Sequence, residues 1–203
     1  MKKKNLPENT FKDVVDFITG FSRRLCHIDR FNTRPVIRKE NVADHSFYVV
    51  LFSSILSEIA ELNNIKINKY EVLLKAVLHD IEESISGDIS KALKKDSKFK
   101  NLYLSVSELS VKRILSPLPL PISTRFLDNW KNKNASTENL IVKIADELSG
   151  IVYAREEIIM GNSYFEHIYF NYMHRLESLV KDTIFENLIL QLNDKKMKGD
   201  MYD

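Results

Sequence analysis

The sequence predicts an all-α fold, a set of helices around one core, from three observations. Apolar residues recur at helical spacing through most of the chain. Only five Gly and five Pro interrupt 203 residues. Hydrophobic residues at 44% and charged residues at 29% describe a globular chain rather than a disordered or fibrous one. A chain of this length buries a core as one domain, so residues 1–203 are read as a single domain.

The first helix runs from about Asn9 to Arg24, with Phe11, Val14, Val15, Phe17, Ile18 and Phe21 as an apolar stripe expected to dock on the core. Residues 26–40 lack periodicity and read as an ordered loop. Its Arg30, Arg34, Arg38 and Lys39 are either solvated charge, the usual fate of such runs, or an anion-binding set in need of a site to face. Asn41 with Asp44 is a capping-box variant that starts a helix to about Glu61. Phe47 to Phe52, Ile55, Leu56 and Ile59 make that helix apolar almost all round, which predicts a central, buried element. His45 lies on its first turn, where a lone histidine is more often a hydrogen-bonded core residue than a ligand.

Asn68 with Glu71 repeats the capping pattern and launches a helix with apolar residues at 73, 74, 77, 78 and 81. His79 and Asp80 fall on its last turns, Glu83 shares a face with His79 one turn on, and Gly87-Asp88 make a turn behind them. Polar groups thus stand where the preceding residues predict burial, although a His-Asp pair alone is equally a helix-end hydrogen bond. The chain then becomes lysine-rich (Lys91, Lys94, Lys95, Lys98, Lys100) and amphipathic from Leu102 to Leu115, one short and one longer helix. Pro117, Pro119 and Pro121 make residues 116–121 an extended connector, within one domain, into a short helix from Ile122 to about Lys131. Ser136 caps a helix to about Met160. Asp146 interrupts the flank of its apolar stripe, and Ser149 and Gly150 one turn later leave that carboxylate uncovered; the other reading is a surface acid beside Lys143. A last helix is expected from Ser163 to about Asn193, its aromatic stripe serving as core or dimer surface.

A net charge of +2 creates a weak field and gives little support for nucleic-acid binding. No apolar run is read as reaching membrane-spanning length, so no membrane partner is expected. The single Cys26 cannot form an internal disulfide, and the start of the chain lacks a signal-peptide pattern, so a cytoplasmic location is expected.

His45 on one helix, His79-Asp80 on the next and Asp146 on a later one make a set of two imidazoles and two carboxylates. Such a mixed nitrogen and oxygen set suits a partly hydrated divalent ion, octahedral Mn, Fe, Co or similar, better than a closed tetrahedral zinc site. This order, H…HD…D on helices, resembles the HD-domain metal-dependent phosphohydrolases. Further, Arg30-Phe31, Glu40-Asn41-Val42-Ala43-Asp44-His45-Ser46, His79-Asp80-x-x-Glu83 and Gly87-Asp88 are similar to the motifs of the YfbR-type bacterial 5′-deoxynucleotidases, over about Arg30 to Tyr153. The resemblance implies an orthogonal helical bundle with one divalent metal ion (Mn, Co, Fe or similar, with Mg or Zn admitted) on His45, His79, Asp80 and Asp146. It implies Arg30 over a phosphate, Glu83 as general acid or base, and Phe31 and Asp88 against a sugar. A homodimer is expected.

Two departures matter: the YfbR type has Arg-Trp in place of Arg30-Phe31, and a proline-rich turn in place of Ile89-Ser90-Lys91-Ala92, with Lys94 standing where that family has a lysine. No histidine occurs between Asp80 and Asp146, which favours one metal over a dinuclear site. The expected activity is hydrolysis of (deoxy)nucleoside 5′-monophosphates to nucleoside and phosphate. The competing readings are a nucleoside triphosphohydrolase or other small-phosphate phosphatase on the same scaffold, and a non-catalytic dimeric binding module. Retention of all four ligands and Glu83 argues against the last, since an idle site has no reason to keep groups costly to bury.

Overall fold

The structure, a computed structural model, describes residues 9–90, 93, 94 and 96–198, with the backbone alone for Ser22 and residues 194–198. The chain runs through α1 (Thr10–Thr19), a 3-10 helix (Phe21–His27), α2 (Val42–Leu62), α3 (Lys69–Leu78), α4 (Glu83–Ser86), α5 (Ser97–Leu115), α6 (Leu120–Lys131), α7 (Thr137–Ile159), α8 (Phe165–Val180) and α9 (Asn187–Lys198). Among the described residues there is no strand, only an isolated antiparallel bridge between Asp29 and Asn41. The all-α expectation is borne out. Packing groups the chain into two compact units: Met1–Arg34, Lys39–Ser46 and Val77–Lys133 form one, and Pro35–Arg38, Phe47–Ala76 and Asn134–Asp203 the other.

In the first unit, the 28–42 loop is closed by its own backbone: Arg30 N–H donates to Glu40 O, and Val42 N–H to Ile28 O, each at 2.9 Å. Val42, Leu78, Ile81, Val111, Ile114, Leu115 and Trp130 are buried. Asp96 caps α5 by accepting from the Lys98 and Phe99 N–H groups, so this helix starts earlier than its apolar pattern suggests. Similarly, α6 starts at Leu120, ahead of the expected Ile122, because a proline in the first helical turn lacks only an N–H that would have no partner there. The N-terminal helix is shorter than expected. It ends at Thr19, a separate 3-10 helix follows Gly20, and Phe11, Val15 and Ile18 are exposed rather than docked.

In the second unit, α7 packs closely on α8. A Cβ at Gly150 would lie 2.4 Å from Cζ of Tyr172, so only glycine admits that ring. Ile141, Ile144, Ile151 and Ala154 of α7 and Phe165, Leu176 and Val180 of α8 are buried in this unit. The expected final helix is two, because Asp182 turns left-handed (φ 59°) and the Thr183 hydroxyl accepts from Phe185 N–H at 3.1 Å, restarting the chain as α9.

Two expectations about α2 are corrected. Phe47, Leu51 and Ile55, one face at i, i+4 and i+8, are exposed, so the helix is not buried all round. Its 21 residues also have the length and apolar composition of a membrane span, although only 33% of its most apolar window is buried. No uninterrupted run signals this, because polar residues such as Ser53 and Ser57 punctuate it.

Candidate active site

Local capping sets the first residues of the site. The Asn41 side chain accepts from Asp44 N–H at 2.9 Å and donates to Asp44 Oδ2 at 2.9 Å, fixing the start of α2 and placing His45, fully buried, on its first turn. At α3 the cap likewise forms, with Asn68 Oδ1 accepting from Glu71 N–H at 3.2 Å. Yet α3 ends at Leu78, so His79 and Asp80 lie just past the helix, contrary to expectation. Ile81 N–H donates to Leu78 O, Glu83 N–H to Asp80 O, and Ser84 N–H to Ile81 O, all at 3.1–3.2 Å: tight turns that deliver Glu83 to the start of α4. Gly87, at φ 73°, ends that single turn in a conformation few other residues adopt, and leads to Asp88.

His45 Nε2 and His79 Nε2 face each other at 3.3 Å, with Asp80 Oδ2 3.1 Å from the second and 3.8 Å from the first. Three donor atoms thus converge within the first unit. Imidazole nitrogens and a carboxylate oxygen are the donor types that a divalent ion takes. Ligands bound about 2.1 Å from one ion lie about 3.0–3.4 Å apart, so the two separations made by His79 match a shared divalent metal and the 3.8 Å between His45 and Asp80 is slightly wider.

Next to them, Glu83 is buried, and Lys94 Nζ donates to its Oε1 at 2.8 Å. Burial and the charge of Asp80 push the Glu83 carboxyl up to about 8, against the pull of Lys94. Burial alone would lower the Lys94 ammonium, but Glu83 and Asp80 outweigh it and raise it. The Lys94 ammonium also lies 5.4 Å above the Tyr103 ring. Adjacent Glu82 is buried as well; its carboxyl is raised by burial and by Asp80.

The cationic loop resolves into different fates. Arg30 is buried and paired with Glu40, through both side chains and backbone. By contrast, Lys39 pairs with Asp29 at 2.6 Å and Arg38 with Glu156 at 2.9 Å, both on the exposed side. Phe31 follows with φ 54°, its ring 5.2 Å from the Arg30 guanidinium, and its N–H donates to Asp88 Oδ2 at 3.2 Å. Asn32 Nδ2 donates to Asp88 O at 3.2 Å. Asp88 is therefore tied to the Phe31 backbone, a role the sequence does not announce.

Asp146 belongs to the second unit, on α7. It lines a cavity of about 410 Å³ with Lys143, Glu147, His174, Arg175, Ser178 and Leu179, in which Arg175 Nε contacts both Glu147 oxygens at 2.9–3.0 Å. The gap one turn beyond Asp146 is not open space at Gly150, since Tyr172 fills it. Three turns along α7, fully buried Glu157 accepts from the N–H groups of Ile37 (2.8 Å) and Arg38 (2.7 Å) and from Asn162 Nδ2 (2.6 Å). Glu82 and Glu157 escape sequence reading, which takes a glutamate without a motif as surface, and Glu40 stands in a motif there but without its role as the partner of Arg30. Only a carboxylate at a place of apolar neighbours hints otherwise, as at Glu82 after Ile81.

The family described as 5′-deoxynucleotidase YfbR-like matches residues 17–190. A 4′-phosphooxetanocin A phosphatase of Priestia megaterium is 31% identical over 173 residues, 83% of this chain and 89% of its own. A 5′-deoxynucleotidase of Photorhabdus temperata is 30% identical over 145 residues, 70% of this chain and 74% of its own. Among solved structures, the cyanophage S-2L HD phosphohydrolase bound to dA and one catalytic Zn2+ ion superposes with a TM-score of 0.64, covering 90% of this chain and 97% of that one. At 14% identity, that likeness is one of fold.

Proposed function

The chain belongs to the YfbR-like 5′-deoxynucleotidase family, and we propose that it is a metal-dependent phosphomonoesterase that hydrolyses deoxynucleoside 5′-monophosphates to deoxynucleoside and phosphate. It is an HD-domain phosphohydrolase acting on nucleotide 5′-monophosphates. The observation that carries the reading is the convergence of His45, His79 and Asp80 beside buried Glu83. One divalent ion, of the Mn, Co or Fe kind, would be held by these three and by Asp146. When bound, such an ion acidifies a water and draws charge from a phosphate oxygen.

The residues supply the rest. Arg30, its guanidinium oriented by Glu40, neutralises phosphate charge that would repel an incoming oxyanion. Glu83 gives a proton to the leaving 5′-oxygen; its raised carboxyl keeps that proton near neutral pH, and Lys94 fixes its aim. Phe31 and Asp88 form one wall for the sugar. The tie from Phe31 N–H to Asp88 supports that reading, since it sets the aromatic ring and the carboxylate together. The chain acts as one domain with its core over about residues 30–153, as a cytoplasmic homodimer. The free Cys26 supports the compartment, and the exposed Phe47, Leu51 and Ile55 stripe supports the dimer.

The test is product analysis on metal-loaded protein offered mono-, di- and triphosphates of the same nucleosides. The reading expects orthophosphate and nucleoside from monophosphates. Inorganic triphosphate released from a triphosphate would favour the triphosphohydrolase instead.

A further inference from the structure

Glu82 is a buried carboxylate with no part in the chemistry above. Its Oε1 accepts from the Tyr103 hydroxyl at 3.2 Å and its Oε2 from Trp130 Nε1 at 3.2 Å. Tyr103 comes from α5 and Trp130 from α6, so each oxygen is tied to a different helix. An apolar side chain of similar size would fill this place without desolvating a carboxylate; what the carboxylate adds is direction. Direction is needed here, because residues 79–82 follow a helix end and are held by tight turn bonds rather than by a regular ladder. Tyr103 also meets the neighbouring acid from the other side, through the Lys94 ammonium that spans its ring and Glu83 Oε1. The two glutamates are therefore linked through half-buried Tyr103 and Lys94.

We propose that Glu82 is a positioning residue, which with Tyr103 and Trp130 locks the Asp80–Glu83 turn so that Glu83 holds its aim. The proposal rests on the proton-donor reading of Glu83. Glutamine at this position accepts from Trp130 and donates to the Tyr103 oxygen, keeping both ties without charge; alanine keeps neither. In Glu82→Ala, kcat on dAMP falls about 10–100-fold, while KM and bound metal per chain stay at wild-type values, and Glu82→Gln restores most of kcat. Trp130 is the only tryptophan in the chain, so its fluorescence reads the tie without any substrate. Acrylamide quenching rises in Glu82→Ala and stays low in Glu82→Gln. If Glu82→Ala does not fold, Tyr103→Phe keeps the ring under Lys94, removes one tie, and shows a smaller loss confined to kcat. Wild-type kcat in the variant lacking a tie, equal losses in Glu82→Gln and Glu82→Ala, or unchanged quenching would each overturn the proposal. A wild type that turned over no nucleotide would overturn the function instead, and quenching would still decide the tie.

Discussion

Phe31 donates its backbone N–H to Oδ2 of Asp88 at 3.2 Å, across 57 positions of sequence. That bond holds an aromatic residue at φ 54°, a left-handed conformation that costs a side-chain-bearing residue about 1–2 kcal/mol. Releasing it should let the loop relax. In Asp88→Ala, kcat/KM for dAMP is expected to fall about tenfold, equivalent to the roughly 1–1.5 kcal/mol of one such hydrogen bond, with metal content unchanged. Asp88→Asn, whose side-chain oxygen still accepts from Phe31 N–H, should fall less. Steady-state kinetics on both variants checks this.

The size of the aromatic ring sets the second expectation. A ribose 2′-hydroxyl pressed on an apolar wall goes unpaired, at about 1–3 kcal/mol or roughly 5- to 150-fold in discrimination. Phenylalanine leaves more room behind that wall than tryptophan. The ratio of kcat/KM for dAMP over AMP should therefore exceed one in the wild type and rise in Phe31→Trp. An unchanged ratio would remove Phe31 from the account of selectivity.

Glu83 gives a pH dependence with a definite sign. Its carboxyl is raised from 4.5 to about 8, so the protonated form, the proton donor, predominates below that value. A divalent ion on Asp80 offsets the part of that rise that Asp80 causes, so turnover should fall with rising pH on a limb that lies below about 8, and this limb should vanish in Glu83→Gln, whose kcat is lower by about 10²–10⁴ while metal stays bound. The same shift means that the folded metal-free protein binds a proton that the unfolded chain has lost. The stability it contributes is full below about 4.5 and disappears as pH approaches 8, which metal-free denaturation at several pH values measures.

In the second unit, Glu157 holds residues 37 and 38 by their backbone N–H groups. In Glu157→Gln one oxygen acceptor becomes an amide donor facing an N–H, which should cost about 1–3 kcal/mol in urea denaturation. An unaltered midpoint would show that the loop does not depend on this carboxylate.

What was legible in the sequence was local. Asn41 with Asp44, Asn68 with Glu71 and Ser136 with Asn139 are caps that form where the residues place them, because each needs only its own turn. His45, His79 and Asp80 were legible because histidine and aspartate are conspicuous among apolar neighbours. Glu82 and Glu157 were not, since their burial depends on Trp130 and on the backbone of residues 37 and 38, far away in sequence. The exposed face of α2 was hidden for the opposite reason: a helix apolar almost all round carries no periodicity to say which side is inward. Nor does any residue type announce the left-handed turn at Asp182 that splits the last helix.

The most direct test of the central claim is the product assay on dAMP with protein stripped of metal and reloaded with Mn, Co, Fe, Mg or Zn. The account predicts one metal per chain, orthophosphate and deoxyadenosine as products, and loss of both binding and turnover in His79→Ala. Absence of orthophosphate from any nucleoside 5′-monophosphate with every metal, or full turnover in stripped protein, would contradict it.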